Sequence, residues 1–115
     1  MSNENPIWME NLPVAITVCD LNGKVIAMNT KSKTTFEKWG GKALIGNSLM
    51  PCHPEKAQQK IMEMMTEGKM NAYTIEKNGI KKLIYQCPWY QDGVQAGLVE
   101  LSLEIPIEMP HFVRK

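Results

Sequence analysis

The plainest pattern in the chain lies near its end, where Val99, Leu101, Leu103 and Ile105 alternate with Glu100, Ser102 and Glu104. A period of two is that of a strand with one face in a core and the other toward water. The alternation predicts that the side carrying Val99 and Leu101 is the buried one. Asn71–Lys77 and Lys81–Tyr90 come before it, rich in β-branched and aromatic residues, and Ala15–Asp20 with Lys24–Met28 stand near the start. Asn22-Gly23, Asn78-Gly79 and Asp92-Gly93 fall between these runs. Such dipeptides suit the positive φ angles of tight hairpins, so the chain predicts five antiparallel strands.

From Asn29 to Gly68 the rhythm changes. Asn29 or Thr30 is placed to cap a short helix through Thr34, Phe36 and Trp39, which Gly40-Gly41 then ends. Pro54 suits the first position of a second helix, with Glu55 near its positive end. Ala57, Ile61, Met64 and Met65 form one apolar stripe along it, and Gly68 closes it. Two strands, helices, then three strands make an α+β plan, with the helices gathered on one face of the sheet.

Composition narrows the function. At 115 residues the chain has room for one domain, and 43% hydrophobic with 22% charged residues excludes a disordered class. A net charge of +1 offers no basic stripe for a phosphate backbone, so nucleic acid is not an expected partner. No apolar run approaches the roughly 20 residues of a membrane helix, and no membrane partner is expected. Met1–Pro6 lacks the basic head and apolar centre of a secretory signal. The three cysteines, Cys19, Cys52 and Cys87, are widely spaced, which fits neither a disulfide framework nor a zinc site. A cytoplasmic location and no bound metal are the expectations. Nucleophile elbow, phosphate-cradling loop and His-Glu-x-x-His motif are all missing, so no catalytic residues are assigned and no enzyme is expected.

Between about Leu12 and Ile105 the chain resembles a PAS domain. The likeness is carried by Leu12-Pro13, Asp20, Asn22-Gly23 and Asn29, then by Leu44-Ile45-Gly46, His53-Pro54-Glu55, Glu67-Gly68, Pro88 and Asp92-Gly93, in that order. The resemblance implies a PAS fold, with a five-stranded antiparallel sheet cupping a cavity beneath helices packed on one face, and often a homodimer. It divides the chain into an N-terminal segment, 1–11, a domain, 12–105, and a Pro-containing tail, 106–115. It also implies a sensory or signalling module of bacterial type, binding a small metabolite or a separate signalling protein.

Individual residues refine this. Trp39, Met62, Met65, Tyr85 and Val99 are the expected pocket lining, with His53 and Cys52 near its mouth. His53 precedes a helix, whereas haem-binding members carry their ligand further in, where this chain has Ala57, Gln58, Gln59 and Lys60. Met50-Pro51-Cys52-His53-Pro54 lacks the arginine and glutamine that hold flavin in light-sensing members. No cofactor is assigned, and a haem- or thiol-based redox sensor stands as an alternative. So does an interaction domain with a filled core that binds protein through its sheet. Ile7, Trp8 and Leu12 precede the first strand and are the expected dimer contacts. Pro106 and Pro110 keep a long helix from starting after the last strand, so the expectation is either a free-standing module acting on a separate protein or a piece of a longer one, with the Met1 start favouring the former.

Overall fold

The computed structural model describes residues 5–115, except for the side chain of Cys52. After a short helix α1 (Ile7–Glu10), β1 (Ala15–Asp20) and β2 (Val25–Met28) form the first pair. Helix α2 (Thr30–Thr35) is followed by three 3₁₀ turns, Glu37–Trp39, Gly41–Leu44 and Met50–Cys52. The long helix α3 (Glu55–Glu67) leads into β3 (Asn71–Lys77), β4 (Ile80–Gln91) and β5 (Val94–Ile105). The five strands lie in the order β2-β1-β5-β4-β3, every neighbouring pair antiparallel.

Turn chemistry sets this register. Asn78 and Gly79 both have positive φ, as do Asp92 and Gly93, so both late hairpins close in two residues. The first connection is looser. Only Gly23 is left-handed there, and the Asp20 carboxylate accepts from the amides of Asn22 and Lys24 at 2.9 and 3.0 Å. Pro88 fits inside β4 because β3 begins opposite Gln86 and no strand flanks the proline on that side. The segment 46–49 bonds to the start of β2 and the turn before it, Gly46 and Asn47 to Val25 and Leu49 to Gly23, which covers that end of the free edge.

Helix α2 is shorter than the capping pattern predicts. Thr34 and Thr35 turn their hydroxyls back onto the carbonyls of Thr30 and Lys31, a bond that competes with helix propagation, and the chain tightens at Phe36. Trp39 therefore ends a separate 3₁₀ turn, closed by left-handed Gly40. Pro54 serves as the cap preceding α3, and left-handed Gly68 ends that helix.

The core lies between sheet and helices. Cys19, Val25, Met28 and Leu98 from the strands meet Leu44, Leu49, Ile61 and Met64, with Phe36, Met50 and Met65 packed against them. Pairing puts Cys19 opposite Leu98 and Thr17 opposite Glu100, so this inner face also carries Glu100, Gln86 and Asn71. The alternation of β5 thus has the opposite sense to the one expected. Its Glu100 side faces α3, while Val99, Leu101 and Leu103 share the outer face with Ile16, Val18, Leu83, Tyr85, Cys87 and Trp89. Among the described residues no helix is layered on that outer face, and most of its side chains are half-buried only.

Candidate functional site

One row of paired positions crosses the inner face: Thr17 on β1, Glu100 on β5, Gln86 on β4 and Asn71 on β3. Directly opposed residues share a face, and here their polar ends join. Asn71 Nδ2 donates to Gln86 Oε1 at 3.0 Å, and Gln86 Nε2 donates to Glu100 Oε1 at 3.1 Å. The other carboxylate oxygen lies 3.9 Å from His53 Nε2, an ion pair too long for a hydrogen bond. His53 Nδ1 is 2.9 Å from the Leu49 carbonyl, so protein oxygens face both ring nitrogens. At the other end of the row Thr17 shares a short hydrogen bond with Ser32 of α2, whose side chain is fully buried.

His53 stands where the last 3₁₀ turn gives way to α3. Gln58, one turn into the helix, holds that junction by donating to the carbonyls of His53 and Met50 at 2.9 and 3.0 Å. The row thereby links strands β1, β5, β4 and β3 to the start of α3. Burial by itself lowers the basicity of the His53 ring, but the Glu100 carboxylate and the Leu49 carbonyl outweigh it and raise its pKa. Burial, with the Glu100 charge, also raises the Tyr73 phenol.

Beside the row is a cavity of about 10 Å³. Thr17, Cys19, Gln86, Leu98, Val99 and Glu100 border it from the sheet, Leu49 and Ile61 from the helical side. That is space for a single water and no more. The thiol of Cys19 is pushed up to about 11 by its burial, so it is neutral where it meets the cavity.

The candidates named from the sequence are scattered. His53 joins the row and Val99 borders the cavity, although the alternation of β5 turns the Val99 side chain to the outer face. Tyr85 pairs with Leu101 and belongs to that outer face too. Met62 is 59% exposed, and it meets Met65, Met50 and Leu21 along an open groove of about 420 Å³ beside the β1–β2 turn. Trp39 is about half exposed under the Lys38 ammonium, 5.4 Å from its ring, and lies away from the cavity. The Cys52 side chain falls outside what the structure describes. Ile7 and Trp8 are exposed on α1, and Leu12 is half-buried. Glu100, Gln86, Asn71 and Thr17 were not among the candidates. Their signal was register: the two-residue turn at Asn78-Gly79 sets Asn71 opposite Gln86.

Asn29 anchors the other side of the fold. Its Oδ1 accepts from Ile16 N and Ser32 N at 2.9 and 3.0 Å, and its Nδ2 donates to the carbonyls of Met9 and Val14 at 2.9 and 2.7 Å. One fully buried amide thus caps α2 and ties it to β1 and to the end of α1.

Among the described residues no three His, Cys, Asp or Glu side chains converge as a metal site. Nor, among the described residues, is any helix long and apolar enough to cross a membrane. No curated protein matches the chain in sequence. Solved structures do match. The PAS domain of a Colwellia psychrerythraea protein has a TM-score of 0.63 at 19% identity, over 85% of this chain and 91% of that one. A sensory box sensor histidine kinase from Vibrio cholerae gives 0.62 at 13%, over 86% and 87%. The VqmA dimer of Vibrio cholerae, a LuxR-type receptor free of its target DNA, gives 0.65 at 18%. That match covers 94% of this chain but only 55% of VqmA. At these identities the likeness is one of fold. The sequence itself matches the family model of the PAS fold over residues 9–73, more than half the chain, and the protein belongs to the PAS-fold family.

Proposed function

We propose that this PAS domain is a signalling module that works through protein contact at its outer sheet face, as a homodimer. The observation that carries this reading is the sense of β5. Its apolar side, with Val99, Leu101 and Leu103, lies away from the helices beside Leu83, Tyr85, Cys87 and Trp89. An apolar face of this extent without a covering layer marks an interaction surface. Ile7 and Trp8, exposed on α1, add to the available apolar contact. A dimeric neighbour, VqmA, and a sensor kinase neighbour support the same reading. Sedimentation of the whole chain tests it. A dimer that Leu101→Glu converts to a folded monomer supports the reading, and a monomer at every concentration sinks it.

A second reading, a small-metabolite sensor, is favoured by the polar row. Glu100 offers a carboxylate at the cavity, so a ligand there would have to donate hydrogen bonds. A cavity of about 10 Å³ admits one only if α3 moves outward. Signalling would then be a population shift between two placements of α3. Thermal-shift measurements with small hydroxyl and amine metabolites test this reading, and an absorption spectrum of the purified protein tests haem and flavin.

A further inference from the structure

We propose that residues 107–113 of one copy lie across the outer sheet face of a second copy, each tail clasping its partner. This rests on the dimer reading above and names the segment that closes it. After β5 the chain carries four exposed apolar side chains in quick succession: Ile107, Met109, Phe112 and Val113, the last two 70% and 83% exposed. One molecule therefore presents two unpartnered apolar features, a strip and a face.

The start of the tail is directed. Lys81 Nζ donates to the Ile107 carbonyl at 3.3 Å, and Lys81 alternates into line with Leu83 and Tyr85 on the outer face. The tail therefore leaves the rim of the sheet on its outer side. On its own chain the tail bends at Ile107 and Glu108 and keeps its apolar side chains exposed, so they leave the outer face of their own sheet uncovered. A second copy can present the same face to these exposed side chains. Length fits as well. Six steps from Ile107 to Val113 at roughly 3.3 Å reach about 20 Å, the width of five strands spaced roughly 4.8 Å apart.

Pro106 and Pro110 favour an extended backbone before any contact forms, which lowers the cost of ordering the strip. Two-fold symmetry counts every contact twice. With Phe112 alone worth roughly 150–250 Å², two tails and the faces beneath them approach the about 1,200–2,000 Å² of a specific interface.

The test uses the full chain with Met109→Asp/Phe112→Asp, and with Val113→Asp as a variant too exposed to disturb folding. Sedimentation gives the dissociation constant, and alkylation of Cys87, followed by peptide mass, reports cover at the outer face. The expected result is a dimer weakened roughly tenfold or more in the double variant. Cys87 labelling should slow with rising concentration in the parent chain and not in the double variant. A dimer equally tight in both variants overturns the clasp and leaves the dimer reading standing. A weakened dimer with Cys87 labelling independent of concentration in the parent chain overturns the docking site. A parent chain that never dimerises overturns both readings.

Discussion

His53 Nε2 lies 3.9 Å from the Glu100 carboxylate, so the entry to α3 is tied by charge to the polar side of β5. The pair gives stability a pH dependence of definite sign. The folded-state pKa of His53 is raised, so its contribution is complete below the ordinary imidazole value of roughly 6.5. It fades as pH rises through the raised value. Tyr73 and Cys19, which also feel the Glu100 charge, have raised pKa values and stay neutral through that window. Urea midpoints should therefore fall from mildly acidic to mildly alkaline pH, and Glu100→Gln should flatten the fall. An equal slope in both proteins would remove the pair from the account.

Asn29 makes a larger and pH-independent contribution. Asn29→Ala strands the amides of Ile16 and Ser32 and the carbonyls of Met9 and Val14 in a fully buried site. Each stranded group costs roughly 1–3 kcal/mol, so a loss of about 3 kcal/mol or more is expected in equilibrium urea unfolding. Asn29→Asp keeps the acceptor but turns a carboxylate toward two carbonyls, and it should recover little of that loss. A loss below about 1 kcal/mol would mean water replaces the amide.

Most of the architecture was legible because local chemistry dictated it. Asn78-Gly79 and Asp92-Gly93 fix two hairpins whatever the rest of the chain does, and Gly68 ends α3 at the expected residue. The face of β5 was not legible, since alternation gives the period but not which side the helices cover. Here α3 covers the inner face through Ile61 and Met64, next to Leu98, and the strand beyond Leu98 turns its glutamate inward. Tyr85 and Val99 moved to the outer face by that same reversal. Met62 follows Ile61 by one position, about 100° around the helix, which is enough to carry it out of the core.

Gly97 is held open by its neighbours. A Cβ there would sit on the Cys19 carbonyl oxygen and 2.8 Å from Trp89 Nε1, which donates to that same carbonyl at 3.0 Å. The clash is with backbone across the β1–β5 pair, so the sheet itself must shift. Gly97→Ala should destabilise the protein by more than about 2 kcal/mol and change the Trp89 fluorescence. Trp89→Phe loses the hydrogen bond and some ring contact but leaves the backbone approach intact, and should cost about 1–2 kcal/mol. Equal costs for the two would show that the bond, not the close approach, dictates glycine.

Trp8 is 68% exposed and contributes nothing visible to the core, so Trp8→Ala should leave the unfolding midpoint within about 0.5 kcal/mol of the parent. If α1 joins the outer face in a dimer, the same change lowers the sedimenting mass. A stable protein of unchanged mass would take α1 out of the contact, leaving the sheet face to make it alone.

Cys19 gives a probe of opening at the cavity. Only the thiolate reacts with alkylating agents, and this thiol is both fully buried and raised to about 11. Native protein at neutral pH should leave Cys19 unlabelled while a half-buried cysteine such as Cys87 reacts. Labelling then requires α3 to lift Ile61 and Met64 away from Leu98, or the whole domain to unfold. The two are separated by urea. If labelling tracks global unfolding, α3 belongs to one cooperative unit with the sheet and the interior stays closed. If Cys19 reacts well below the unfolding midpoint, α3 opens alone, and the polar row becomes accessible to a hydrogen-bonding ligand without the fold being lost.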